Sequence, residues 1–186
     1  MDLPFPLRSG FLALPLEGEA GDEFRAAQAE LAFLNEGDEP IVGFQKPTVP
    51  HLTLAYFPTV MEIEYGQITA QAAKIAAQIR PFAVQIESVG TFGKPGRDEV
   101  LFLKPNFSPE LAEAKKKCPW PSPYPEFNPH ITLARVRHPE RFEIQKKAVL
   151  KALKHVSFTA RFELLRLYAN VDGESQVPLA DFPFEA

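Results

Sequence analysis

Apolar positions along this chain recur in short segments whose period switches between two and about 3.6 residues, the marks of strands and helices. Residues 11–16, Phe-Leu-Ala-Leu-Pro-Leu, read as a strand. Over 21–34, Phe24, Ala27, Leu31 and Leu34 share one side of a helix, which Asn35-Glu36-Gly37-Asp38 closes as a turn. A short strand follows at 41–44 and a longer one at 48–57. Over 63–79, Ile68, Ala72, Ile75, Ala76 and Ile79 return at helical spacing, and Pro81 ends the helix because it has no amide hydrogen to donate. Residues 82–89 alternate, with Phe82, Val84 and Ile86 against Ala83, Gln85 and Glu87. Gly93-Lys94-Pro95-Gly96 turns the chain into a returning strand at 99–103. A short helix is predicted at 109–117, a strand at 130–136, a helix at 142–154, a long strand at 158–169 and a last strand at 177–182. Between 119 and 129 lie five prolines, which make a stiff extended loop.

This order places the chain in the α+β class, with a pair of antiparallel or mixed sheets and helices outside. One six-residue frame inside it occurs twice. Pro50-His51-Leu52-Thr53-Leu54-Ala55 returns as Pro129-His130-Ile131-Thr132-Leu133-Ala134. Residues two apart on a strand share a face. His51 and Thr53 then point one way and Leu52 and Leu54 the other, and the second frame repeats this. Two such strands can line one cleft with two imidazoles and two hydroxyls. The duplicated frame also hints at an internal repeat, although no further self-similarity supports it.

The chemistry of such a cleft suits phosphoryl transfer. Opening a cyclic phosphate needs a base for the attacking hydroxyl and an acid for the leaving oxygen, and histidines titrate in the right range for both. Threonine hydroxyls can donate to the non-bridging oxygens where charge develops. The alternative for each residue is plain: histidine and threonine also occur in strands as satisfied structural residues.

The two His-x-Thr-hydrophobic frames resemble those of the two-histidine phosphoesterase superfamily. The run from Pro129 to Arg135 resembles the second motif of its LigT-like branch, the RNA 2′,3′-cyclic phosphodiesterases also called 2′-5′ RNA ligases. The opening strand, Phe11-Leu12-Ala13-Leu14, is similar to the strand that brings an aromatic residue to the site in that branch. The resemblance implies a bilobal, pseudo-symmetric fold with a central cleft. It implies one domain spanning residues 1–186, with lobes near 1–80 and 81–186 and strand exchange between them left open. The catalytic residues it implies are His51, Thr53, His130 and Thr132. The activity would be hydrolysis of a 2′,3′-cyclic phosphate to a 2′-phosphate, with His130 activating water and His51 protonating the 3′ oxygen. Related substrates in the superfamily include ADP-ribose cyclic phosphate, 2′-5′ linked oligoadenylate and cyclic oligonucleotides. A non-catalytic module gripping RNA ends is the reading from another class.

Composition narrows the partner. With a net charge of −4, the chain is poorly suited to hold long RNA by its phosphates, and RNA 3′ ends or small cyclic and oligonucleotides fit better. The 45% hydrophobic share and 16 phenylalanines support a packed core and exclude a disordered chain. A single cysteine, Cys118, allows no internal disulfide and is read as structural. No HExxH spacing or cysteine cluster points to zinc, and the expectation is no metal and no cofactor. The start Met1-Asp2-Leu3-Pro4 lacks a basic signal region, and no run reaches the ~20 apolar residues of a membrane span, so a cytoplasmic monomer is expected.

Five further residues are candidates for substrate binding. Arg135 could hold a phosphate in bidentate fashion. Strict alternation puts it on the face opposite His130, and only a bulge or strand end would bring it round. Phe11 could stack on a base or sit in the core. Trp120, Tyr124 and Phe127, on the proline-rich loop that leads into His130, could cap the cleft or fasten the loop to the sheet. Lys46, Lys94 and Arg97 read as solvated surface.

Overall fold

The computed structural model describes residues 3–185. Nine strands run β1 (Leu7–Pro15), β2 (Val42–Phe44), β3 (His51–Val60), β4 (Phe82–Lys94), β5 (Arg97–Pro105), β6 (Ile131–Val136), β7 (Phe158–Phe162), β8 (Leu164–Val171) and β9 (Glu174–Pro183). Four α-helices lie between them: α1 (Gly18–Ala29), α2 (Glu62–Ala76), α3 (Pro109–Lys117) and α4 (Pro139–Ala152). The α+β class holds. All strand pairings are antiparallel, and they join one sheet in the order β7-β4-β5-β6-β3-β1-β8-β9, with β2 on β6.

The sheet is continuous where the sequence suggested two. Its halves meet only at the motif strands, through the single pair Leu52↔Ile131. Outward from that seam the order is β3-β1-β8-β9 on one side and β6-β5-β4-β7 on the other. Only Glu163 separates β7 from β8, yet they lie toward opposite ends of the order, so the sheet must curl to bring its ends together. Strands cross between the sequence halves: β8 and β9 lie beside β1, and β2 pairs with β6. Helices α1 and α4 pack on the β4–β7 side, α2 packs on β8 and β9, and the α3 residue Lys115 donates to the Leu54 carbonyl of β3.

The elements form for local reasons. Helix α3 opens with Ser108, whose Oγ accepts from the Leu111 amide at 3.1 Å, and with Pro109, whose missing amide hydrogen costs nothing in a first turn. Its last turn carries Lys115, Lys116 and Lys117, which suit the negative end of the helix dipole. The helix predicted over 21–34 is interrupted. Phe24, Ala27, Leu31 and Leu34 are all buried as expected, but Leu31 bonds back three residues to Gln28, and the chain tightens into a 3-10 turn at Ala32–Asn35. The long strand predicted over 158–169 is two strands. Phe158, Ala160 and Phe162 are buried against β4, whereas Leu165 and Leu167 are buried beyond Glu163, so the inward phase flips there.

Burial along the motif strands separates two faces. Leu52, Leu54, Ile131 and Leu133 are buried in the core, while His51, Thr53, His130 and Thr132 are half-buried on the other face. Period-two alternation thus turns four apolar residues inward and four polar ones to the other, half-buried face of the curled sheet, the candidate cleft.

Candidate active site

The pair Leu52↔Ile131 sets the register of the cleft. Continued by one step either way, it puts His51 across from Thr132 and Thr53 across from His130. Each half therefore presents its imidazole to the other half's hydroxyl.

The two histidines are held alike. His51 Nδ1 lies 2.7 Å from the Val49 carbonyl, and His130 Nδ1 lies 2.8 Å from the Asn128 carbonyl. A carbonyl only accepts, so each Nδ1 carries the hydrogen. In the neutral rings both Nε2 atoms then keep a free lone pair, and in the charged rings both carry a proton. Either histidine can serve as acid or base through Nε2.

Burial sets their proton affinity. His51 is pushed down to about 4, mainly by loss of water around the ring. The bond to Val49 opposes this shift, and the charge of His130 adds to it. His130 is also lowered, first by burial, with the Asn128 bond opposing and the Arg135 guanidinium adding to it. Both rings are neutral in the free protein at pH 7.

Arg135 reaches the cleft through a bulge. Phe102 pairs with Thr132, but Leu101 pairs with Ala134 and Val100 with Arg135, so Leu133 is an extra residue on β6. Phe102 and Val100 share a face, and Arg135 therefore joins Thr132 on the cleft side. The same device is built into β3. Ala13 pairs with Thr53, Leu12 with Ala55 and Phe11 with Tyr56, which leaves Leu54 extra and turns Tyr56 into the cleft. Adjacent buried residues mark each bulge, Leu54 with Ala55 and Leu133 with Ala134.

Aromatic rings brace each imidazole. Phe11 stacks on His51 with centroids 4.6 Å apart, and Tyr168 stacks on Phe11 at 4.9 Å. Across the seam, the edges of Phe92 and Phe102 meet His130 at 4.9 and 5.5 Å, and the two phenyl rings stack at 4.2 Å. Phe11 is only 7% exposed, so it supports His51 and offers no open face for a base. The Tyr168 hydroxyl is buried with no aligned partner, and burial raises its pKa. Beyond it, a cavity of about 240 Å³ runs toward the first turn of α1. Arg166 on its wall is committed to Asp181 and Glu17.

Gly90 makes the second brace possible. A Cβ there would lie 2.6 Å from Phe102 Cζ and 2.8 Å from Cε2. The ring cannot yield freely, because it is held between Phe92 and His130. Gly90→Ala should cost about 1–3 kcal/mol of stability by overpacking. It should also move the His130 ring-proton signals in NMR while sparing those of His51. Gly66→Ala, in open space on α2, is the control for the stability cost.

The loop aromatics lie elsewhere. Trp120 meets the buried Phe57 edge-on at 5.3 Å, and Phe127 packs on the core beneath Lys115. Phe57 follows Tyr56 and faces the opposite side of β3. Trp120 and Phe127 therefore fasten the loop and do not line the cleft. Tyr124 is 73% exposed on that loop. Lys46 is paired with Glu174, and Cys118 is buried with its thiol pushed up to about 11, which leaves no reactive thiolate at neutral pH. Sequence reasoning missed Tyr56, Phe92, Phe102 and Tyr168. Among the described residues no helix is long and apolar enough to cross a membrane.

The sequence pattern of the 2′-5′ RNA ligase superfamily matches residues 46–171, a stretch that holds both motif strands. The chain belongs to this superfamily. No curated protein matches it in sequence. In fold, this superfamily member is similar to Escherichia coli LigT complexed with NADP+, at 17% identity and a TM-score of 0.66, covering 97% of this chain and 99% of LigT. It is similar to TT0787 of Thermus thermophilus at 21% identity and a TM-score of 0.70, covering 95% and 97% of the two chains. Usb1 of Kluyveromyces marxianus, solved with uridine monophosphate, aligns at 13% identity and a TM-score of 0.57, covering 97% of this chain and 100% of Usb1. By family the chain is a member of the 2′-5′ RNA ligase superfamily, and in fold it is LigT-like.

Proposed function

We propose that the chain hydrolyses 2′,3′-cyclic phosphates at RNA 3′ ends or in small nucleotides, with the two histidines as acid and base. The observation that carries this reading is the matched pair of imidazoles, each with Nδ1 tied to a carbonyl and Nε2 left free. Binding alone does not need two rings locked in one tautomer.

In this reading the Thr53 and Thr132 hydroxyls donate to the non-bridging oxygens of the cyclic phosphate. Arg135 adds positive charge beside His130, where the anion sits. Water attacks phosphorus in line and gives its proton to Nε2 of one histidine. The bond from phosphorus to the ribose O3′ breaks, and Nε2–H of the other histidine delivers a proton to that oxygen. The product is a 2′-phosphate with a free 3′-hydroxyl, and the histidines have exchanged protonation states. By likeness to the LigT-like branch, His130 is the base and His51 the acid. His51 is neutral in the free protein, so it must take up its proton as the anionic phosphate binds. The phosphate's charge favours that uptake.

The test is an oligoribonucleotide ending in a 2′,3′-cyclic phosphate, incubated with the chain in EDTA. Ring opening to a terminal 2′-phosphate is expected, at a rate unchanged by the chelator. A 3′-phosphate product would reverse the direction of ring opening. No turnover on cyclic-phosphate RNA or on nucleoside 2′,3′-cyclic phosphates would remove the proposed substrate.

A further inference from the structure

We infer that Arg137, laid over Gly43, forms with Arg135 a second anion site at the β6 end of the cleft, which takes the phosphodiester on the 5′ side of the terminal nucleotide. The substrate is then an RNA end or short oligonucleotide with two neighbouring phosphates, and not a nucleoside cyclic phosphate alone. This rests on the phosphodiesterase reading for the identity of the first phosphate, held at Thr53 and Thr132.

The site is built by the pairing of β6. Arg135 stands opposite Val100 on one side and Gly43 on the other. Val100 shares the face of Phe102, whose ring lies against His130, so this rung faces the cleft. Gly43 has no side chain to fill its place there. A Cβ at that position would lie 3.0 Å from Nε and from Nη2 of Arg137, and 3.3 Å from Cζ. The Arg137 guanidinium therefore leans back from the end of β6 and rests on the glycine, in the place opposite Arg135. Side chains opposed across a sheet start roughly 5 Å apart, so the two arginines share one rung.

Both arginines are exposed, and neither has a carboxylate partner among the described residues. Arg25, Arg141, Arg161 and Arg166 each have one. Glu39, on the approach to β2, is engaged by Arg141 at 3.6 Å and lies 3.9 Å from His138. Like charges set side by side on a sheet repel each other. A phosphate between them removes that repulsion, and a guanidinium can meet its oxygens with two parallel N–H donors. The register gives the right span. From Thr132 to Arg135 the ladder advances two steps along β5, from Phe102 to Val100, which is roughly 7 Å at strand spacing. That is about the separation of successive phosphates along a nucleotide chain. A cyclic phosphate held at Thr132 thus brings the next phosphate onto Arg135 and Arg137.

The experiment measures binding, so that it stands apart from turnover. Adenosine 2′,5′-bisphosphate and adenosine 2′-monophosphate would be titrated by calorimetry into the parent, Arg137→Gln and Gly43→Ala. The parent should bind the bisphosphate more tightly. Arg137→Gln should lose roughly tenfold in bisphosphate affinity, the worth of a charge-assisted hydrogen bond. Gly43→Ala should lose a similar factor, because its methyl group displaces the guanidinium, and Gly43 has no left-handed backbone for the change to strain. Adenosine 2′-monophosphate, which lacks the second phosphate, should bind the three proteins alike. A dinucleotide ending in a 2′,3′-cyclic phosphate should have a lower KM than a nucleoside 2′,3′-cyclic phosphate, and Arg137→Gln should narrow that gap. A parent that binds the two adenosine ligands equally would overturn the inference. So would an Arg137→Gln variant that weakens both ligands alike, or neither. Full bisphosphate affinity in Gly43→Ala would overturn the seat on the glycine. A parent that prefers the bisphosphate through Arg137 but turns over no cyclic phosphate would remove the proposed reaction and leave the second anion site standing.

Discussion

His51→Ala and His130→Ala are each expected to lower kcat on cyclic-phosphate RNA by about 10²–10⁴-fold, the usual worth of a positioned acid or base. The double variant should be little worse than the poorer single one. The reason is that the two rings act as a unit: a base without its acid leaves O3′ unprotonated, and an acid without its base leaves water inert. Loss of fold does not explain the expected deficit. His51 and His130 are half-buried at the cleft, and the residues that close the core behind them are Leu52, Leu54, Ile131 and Leu133. Unchanged melting temperatures would confirm that separation. His155→Ala, at an exposed position away from both motif strands, should keep parental turnover. Full turnover in either cleft variant would sink the acid–base assignment.

The histidines were legible in the sequence because period two is a rigid rule wherever a strand is regular. The same rule failed where the strand is not. Alternation places Arg135 on the wrong side of β6 and Tyr56 on the wrong side of β3. Both reach the cleft through an extra residue that no hydrophobic pattern announces. In hindsight each bulge has a faint mark, two apolar residues in succession, but such pairs are common on wholly buried strands.

The bracing rings failed to show for another reason. Phe92 lies past the point where the alternation of β4 fades, because there the strand leaves the core and its side chains face the cleft. Phe102 and Tyr168 look like ordinary core residues. They gain a role only because the sheet order puts β5 beside β6 and sets β8 next to β1. Sheet order is a long-range property that no local window carries. The break at Glu163, by contrast, was there to be read. The inward phase changes from Phe158, Ala160 and Phe162 to Leu165 and Leu167, and a strand that switches phase is two strands.

The second large expected effect is on pH dependence. In the free protein both histidines titrate below 6.5, His51 at about 4. Turnover needs one ring protonated and one neutral. For kcat/KM, which reports the free protein, that state is most populated between the two pKa values. The profile should therefore be a bell with its maximum on the acid side of pH 6.5. Above it, kcat/KM should fall about tenfold per pH unit, roughly a hundredfold over two units. This holds whichever ring is the acid, because the populations of both assignments vary with pH in the same way. The profile of kcat should lie at higher pH, since a bound phosphate anion favours the imidazolium form and raises both rings. Stability should follow with a definite sign. His51 binds its proton more weakly folded than unfolded, so its contribution is full above about 6.5 and is lost as pH falls through about 4. His51→Ala should remove that part of the acid destabilisation while lowering turnover as stated above. One residue would then sharpen the catalytic optimum and limit acid tolerance, for the same reason: its ring is kept from water. A kcat/KM bell centred above pH 7 would show that the cleft is wetter than its burial implies.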